Sequence, residues 1–266
     1  MFDVNATIQR IRQRFEMELL SNPDSYHSID VDRVRNNDWQ IKRFVLFHEH
    51  DSNNEDVAFE AVCKALRWKK SYGVHERTDT DFPKEFWQMS GIDICGHDIN
   101  GHFVHWGRVR TLRHFPETKE LTKQFAAHII ERIDWKSGET GYISVVDNAG
   151  ASFANVNMDL TKFMLNMMEH YPLSLKAIYN VNLPWLLSSL INFIMGFMNE
   201  KLRKMVYFVD PDALIDIIDR EYIPDYLNGN RNKQILPENV IPLYDKRFNL
   251  EEKFIDHFYK TTKMER

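Results

Sequence analysis

Residues 177–199 read AIYNVNLPWLLSSLINFIMGFMN and contain no charged side chain. A run of that length could cross a bilayer, which takes ~20 apolar residues. Asn180, Asn182, Pro184 and Asn192 interrupt it. It divides instead into a strand, LKAIYNVNL, and a helix of about four turns opened by Pro184. Along that helix Trp185, Leu186, Leu187, Leu190, Ile191, Phe193, Ile194, Met195, Phe197 and Met198 are apolar. Ser188, Asn192 and Gly196, at four-residue spacing, relieve them, with Ser189 beside the first. A helix apolar around most of its circumference is either buried or meets something apolar on both sides. Two accounts follow: an ordinary core helix, or a helix that covers a lipid on its inside and meets membrane on its outside. Lys201, Arg203 and Lys204 come next. They suit an anionic head group or membrane surface, at ~1 kcal/mol each when close to it, or form a solvated turn.

Outward from this stretch the pattern alternates. GYISVVDNAG, LKAIYNVNL and KMVYFVD read as strands rich in Val, Ile and Tyr. The segments PETKELTKQFAAHIIERID, NMDLTKFMLNMMEHY and PDALIDIIDREY read as amphipathic helices between and after them. Such alternation predicts a largely parallel sheet with helices packed on it, an α/β fold. Upstream, GIDICGHD and GHFVHWGRV are short strands around the turn DING. Before them the chain reads as helix. Ile8, Ile11, Phe15 and Leu19 fall at helical spacing, then Val34, Trp39, Phe44 and Phe47, then Val57, Ala61, Val62, Ala65 and Trp68, with Gly73 as a stop. A short helix is expected near DFPKEFWQMS. The tail carries Pro237 and Pro242 and then a short helix.

With 266 residues, 43% of them hydrophobic, the chain can bury a sizeable core. A net charge of −5 argues against a protein that coats nucleic acid. Two cysteines, Cys63 and Cys95, are too few to staple a secreted scaffold, and a cytosolic compartment is expected. The N-terminus shows no basic region followed by an apolar run, so no signal peptide is read. The sequence has no GxSxG elbow, no GxxxxGK[ST] loop and no GxGxxG. Asp147 closes a strand without an evident partner, and reads as a cap for the following loop. No catalytic residue and no cofactor are expected. Residues 95–106, CGHDINGHFVHW, raise a metal question. With DING as the turn, Cys95, His97 and His102 share a face and could converge, whereas His105 falls on the other face. Three ligands fall short of the four that structural zinc takes, and the spacings match no finger. A plain hairpin is the expectation; a metal-dependent enzyme using this cluster stays as a lesser alternative.

Taken in order, EDVAFEAVCKALRWKKSYGV, GHDINGHFVHWGRV, YISVVDNAGAS, HYPLSLKAIYNVNLPW, FMNEKLRKMVYFV and REYIPDYLNGN resemble the CRAL-TRIO lipid-binding family over about residues 30–230. The helical opening looks most like the CRAL-TRIO domain of motile-sperm-domain-containing proteins. The resemblance implies a helical N-terminal module over residues 1–80, a lipid-binding domain over 81–235 and a C-terminal extension over 236–266. It implies a mostly parallel sheet flooring a hydrophobic pocket, closed by a gate helix from Pro184 to Met198. It also implies binding of a hydrophobic ligand or phospholipid and exchange with membranes, without catalysis, in a cytoplasmic protein that meets membrane transiently. Pocket contacts are expected from Trp106, Tyr142, Val146, Tyr179, Val181, Leu187, Ile191 and Ile194. Arg203 and Lys204 are expected at a phosphate or membrane surface, with no metal. In phosphatidylinositol-binding members Glu follows the YP pair; here it is Leu173, as in the tocopherol-transfer branch. An inositol head group held in the usual way is therefore not implied. The basic run of the helical module is replaced by His48, Glu49 and His50, and no major-sperm-protein domain or membrane anchor is read after the lipid domain. The alternative is a non-catalytic protein- or membrane-interaction module without a transferable ligand.

Overall fold

The computed structural model describes residues 3–89, 93–232 and 236–266. The expected strand start at Gly91 and Ile92, the expected helix end at Ser90 and the boundary at 235 lie outside the described residues. The chain divides into two compact units, Met1–Arg77 with Asn166–Ser174, and Thr78–Leu165 with Leu175–Arg266.

The first unit is helical: α1 (Val4–Ser21), α2 (Ser28–Asn36), α3 (Trp39–Phe47) and α4 (Asn54–Tyr72). Asp3 caps α1 by accepting from the Ala6 N–H at 3.0 Å. Ile8, Ile11 and Phe15 then bury one stripe of α1 against Val34, Ile41, Phe44, Val62 and Leu66. The run from Asp30 to His50, expected as helix throughout, is broken and ends at Phe47. Asn37 adopts extended backbone and its side chain accepts from the Trp39 N–H at 3.0 Å, which restarts the helix as α3. Gly73, at φ +70°, ends α4. Residues 166–174 belong to this unit through Arg43, whose buried Nε donates to the Pro172 carbonyl at 2.8 Å, and through Trp68, which stacks on His170.

The second unit holds a five-stranded sheet in the order β1 (Asp93–His97), β2 (Phe103–Arg108), β3 (Tyr142–Asp147), β4 (Leu175–Val181), β5 (Val206–Phe208). β1 and β2 are antiparallel and the rest are parallel. Its helices are α5 (Lys84–Met89), α6 (Lys119–Ser137), α7 (Met158–Met168, of which 158–165 fall in this unit), α8 (Ser188–Met195), α9 (Glu200–Arg203) and α10 (Glu252–Thr262). Because each parallel strand is followed by its neighbour, right-handed crossovers put α6, α7 and α8 on one face of the sheet. Lys136 of α6 lies over the Phe103 ring, and Lys123 of α6 pairs with Asp159 of α7 at 2.8 Å.

The opposite face is packed by a segment expected to be helical. Only Pro211–Asp216 winds, as a 3-10 turn. Beyond it the Ile217 carbonyl accepts from the Ile99 N–H and Ile218 bridges Asp98. The Ile217 carbonyl is thereby taken from any helix, while the Ile217 and Ile218 N–H groups only close a turn onto the Leu214 carbonyl. Leu214, Ile218, Ile223 and Leu227 are buried against Val104, Trp106, Ile143, Val145, Ala177 and Val181. The tail is also core: Phe254, Ile255 and Phe258 of α10 pack with Phe82, Phe86 and Phe125. Buried Glu85 accepts from the Leu243 N–H at 2.8 Å and from the Tyr259 hydroxyl.

The charge-free stretch is shorter in helix than expected. A 3-10 turn, Trp185–Leu187, leads into the eight residues of α8. Gly196 ends it: its N–H is shared between the Asn192 and Phe193 carbonyls, and the next bonds are of the tighter i→i+3 kind. Among the described residues no helix is long and apolar enough to cross a membrane.

Candidate functional site

The DING turn forms as its residues predict. The Asp98 carboxylate accepts from the Asn100 and His102 N–H groups at 2.9 and 2.8 Å, and Gly101 sits at φ +83°. A bulge between Ile94 and His97 shifts the register, so His97 faces Phe103 rather than His102. The lesser alternative, in which Cys95, His97 and His102 converge, is not what the hairpin forms. His102 turns its Nδ1 to Asp98 at 2.8 Å, and His97 packs on Phe103 and Tyr222. Asp147 does cap its loop: it is buried and accepts from the Ala149 N–H and the Asn182 side chain, with Arg108 Nε 3.5 Å away.

Strand alternation and register sort the expected pocket residues into two sets. Trp106 pairs with Val145, which pairs with Tyr179, and Asp147 pairs with Val181. Trp106, Tyr179 and Val181 therefore share the face packed by the segment from Leu214 to Leu227. Trp106 is fully buried there and its indole N–H donates to the Cys95 carbonyl at 2.9 Å. Tyr142 and Val146 belong to the opposite face, on the side of the crossover helices. Leu187, at the head of α8, is buried, while Ile191 and Ile194 are half-buried. The eight residues do not share one surface: Trp106, Tyr179 and Val181 are separated from the rest by the thickness of the sheet.

The helix-side face has a distinct texture. One row across it runs His105, Ser144, Ile178, Val206, and the next runs Gly107, Val146, Asn180, Phe208. Val146, Ile178 and Val206 are only partly covered. The same holds for Leu160, Phe163 and Met164 of α7, and for Leu190, Ile191, Ile194 and Met195 of α8. No residue of α8 is buried. Lys162 of α7 lies 5.3 Å from the Phe197 ring, so the two segments are neighbours. By contrast, α6 buries Phe125, Ala127, Ile129 and Ile133. His105 was not among the expected contacts. Its Nδ1 lies 2.9 Å from Ser144 Oγ, it keeps accessible surface, and burial pushes its imidazole down to about 4. No motif marks this pair, because the two residues are 39 apart in sequence.

On the outside of the same segment Trp185 (81% exposed), Leu186, Phe193 and Phe197 face solvent. Of the two basic residues expected at phosphate, Lys204 is exposed and bonded to Glu200 at 2.7 Å. Arg203 donates to the Met198 carbonyl at 3.0 Å.

Two comparisons bear on this arrangement. Residues 89–229 match the CRAL/TRIO domain. The fold is similar to the crystal structure of Sfh5, at 17% identity and a TM-score of 0.59, with 96% of this chain and all of that chain covered. Members of the matched family bind lipophilic ligands such as phospholipids and generally serve lipid transfer rather than catalysis. The match spans more than half of the sequence and takes in every strand of the sheet, so the chain belongs to the CRAL/TRIO family of lipid-binding proteins.

Proposed function

We propose that this protein holds one hydrophobic ligand or phospholipid between the helix-side face of its sheet and the segments α7 and α8, and exchanges it with membranes. The observation that carries the reading is α8, an apolar helix with no buried residue. Were it an ordinary core helix, its inner stripe would be covered. Instead Leu190, Ile191 and Ile194 stay partly accessible above a floor of Val146, Ile178 and Val206 in the same condition. His105 supports the same conclusion. It lies in the row of Ser144, Ile178 and Val206, keeps accessible surface, and burial holds its imidazole down to about 4. The ligand contacts on this reading are Tyr142, Val146, Ile178, Leu187, Ile191 and Ile194, with the neutral His105–Ser144 pair as a polar point in an apolar floor.

The driving force is desolvation, ~0.8 kcal/mol per buried CH₂, which lets a protein compete with a bilayer for a long chain. Exchange takes place at a membrane the protein meets peripherally from the cytosol, with α8 as the moving cover. Native mass spectrometry of the purified chain should show a bound lipid. Vesicle assays should show that lipid passing between donor and acceptor membranes. Ligand-free protein that also fails to move lipid between vesicles would defeat the proposal.

A further inference from the structure

We propose that the loops leaving β2 and β3 form a rigid docking point for an anionic membrane surface, with Phe153 as apolar anchor and Arg110 and Arg113 as its cationic flank. Phe153 is 65% exposed and opens the 3-10 turn Phe153–Asn155. Its loop is braced. The Ser152 N–H and Oγ both bond Asn155 Oδ1, at 2.9 and 3.1 Å. Buried Asn155 donates in turn to the Arg110 and Leu112 carbonyls, and its own carbonyl lies 2.9 Å from His114 Nε2. The β3 loop is thereby fastened to the β2 loop with the phenyl ring held outward. A solvent-facing Phe on a loop this well bonded has no packing role within the fold.

The charges beside it are unmatched. Arg108 sits near Asp147, and Lys119 and Lys123 share Asp159. Arg110 is exposed, and Arg113 donates to the Arg110 and Leu112 carbonyls. Among the described residues neither guanidinium meets a carboxylate. An aromatic ring with two uncompensated guanidinium groups matches the interface of a bilayer bearing anionic head groups. The patch also continues into the next loop. Arg108, Asp147 and Val181 stand in one row across β2, β3 and β4, so these strands end together. The loop after β4 carries the exposed Trp185 and Leu186 to the same end of the sheet.

This inference rests on the proposed function only for the choice of a membrane as partner. It is tested by sedimenting the full chain with phosphatidylcholine vesicles, with and without about 30% phosphatidylserine. Wild-type protein should partition onto the anionic vesicles and come off as salt is raised. Arg110→Gln should weaken that binding about fivefold, and the double variant with Arg113→Gln about thirtyfold, at ~1 kcal/mol per charge. Phe153→Ser should weaken it about tenfold, the loss of ~1.4 kcal/mol of apolar burial. Unfolding midpoints and bound-ligand content should stay at wild-type values in Arg110→Gln and Phe153→Ser, whose side chains brace nothing. Equal binding to neutral and anionic vesicles, unchanged binding by the variants, or no vesicle binding at all would each overturn the docking point, the last pointing to a protein partner instead. A protein that carries no lipid and moves none between vesicles, yet still shows the full variant pattern, would sink the proposed function and leave this inference standing.

Discussion

Replacing Ile178 by Trp separates a ligand-bordered face from a filled interior. Ile178 stands in mid-β4, between Ser144 and Val206 in its row, and is only partly covered. The larger ring adds the volume of roughly two methylene groups or more. If a ligand chain occupies that space, about two of its methylenes are displaced, at ~0.8 kcal/mol each. Affinity should then fall by about 1.6 kcal/mol, roughly fifteenfold. Stability of the ligand-stripped protein should change by less than about 0.5 kcal/mol, because nothing is overpacked. The matched control is Val145→Trp. Val145 is fully buried on the other face of the sheet, among Val104, Trp106 and Ala177. There the same ring should cost about 1–3 kcal/mol or more. Denaturant midpoints of stripped protein and displacement of a fluorescent lipid measure the two quantities. If Ile178→Trp destabilises as much as Val145→Trp and leaves lipid affinity unchanged, the helix-side face is a packed core and the reasoning fails.

Acid should destabilise both units through buried histidines. Burial holds His105 and His170 near 4, with Lys64 and Lys69 adding to the effect at His170. The unfolded chain titrates near 6.5, so it takes up protons that the folded state refuses, and stability falls as pH drops from about 6.5 toward 4. Each site contributes up to roughly 3 kcal/mol; unfolding curves at neutral and acid pH should show His170→Gln with a shallower fall, and identical slopes would contradict the assignment. Gly96→Ala should cost at least ~2 kcal/mol. The position has φ +82° and the new methyl would lie 2.2 Å from the Tyr222 ring, so trimming Tyr222 to Ala in the same background should recover part of the thermal midpoint. Tyr259→Phe removes one of the two donors that hold the buried Glu85 carboxylate. About 1.5–3 kcal/mol should be lost in chemical denaturation, and a silent substitution would mean water replaces the hydroxyl.

Strands, their order along the chain and the DING turn were legible because each is a local signal. Val, Ile and Tyr cluster in β3 and β4, and Asp98 and Gly101 make the turn by their own backbone chemistry. Register is not local, and that is where the candidate site scattered. Alternation within β3 separates Tyr142 and Val146 from Ile143 and Val145, but only the pairing of Trp106 with Val145 reveals that Trp106 belongs with the second set. A slip of one residue would have reversed the assignment. The bulge that parts His97 from His102 is equally silent, since it depends on Gly96 fitting beneath Tyr222. Periodicity also overstated helix from Pro211 to Tyr222: the Ile217 carbonyl turns to the Ile99 N–H of the hairpin, and only the Ile217 and Ile218 N–H groups still bond back to Leu214. Tertiary partners outbid propensity there.

The stretch from Pro184 to Met198 left two accounts open, and its side chains now sort by exposure. Leu187, Leu190, Ile191, Ile194 and Met198 recur at helical spacing and are buried or half-buried; Trp185, Leu186, Phe193 and Phe197 are exposed. Burying a large apolar side chain contributes about 1.5–3 kcal/mol, so the half-covered inner stripe holds the helix down by only a few kcal/mol in all. In water, lifting it would expose that stripe with no return. At a bilayer the outer stripe gains a comparable apolar contact and the inner stripe meets acyl chains, so the same movement comes close to balance. On the proposed function this is why one helix is apolar nearly all round: each face has its own apolar partner, and the membrane is what makes release of the inner one affordable.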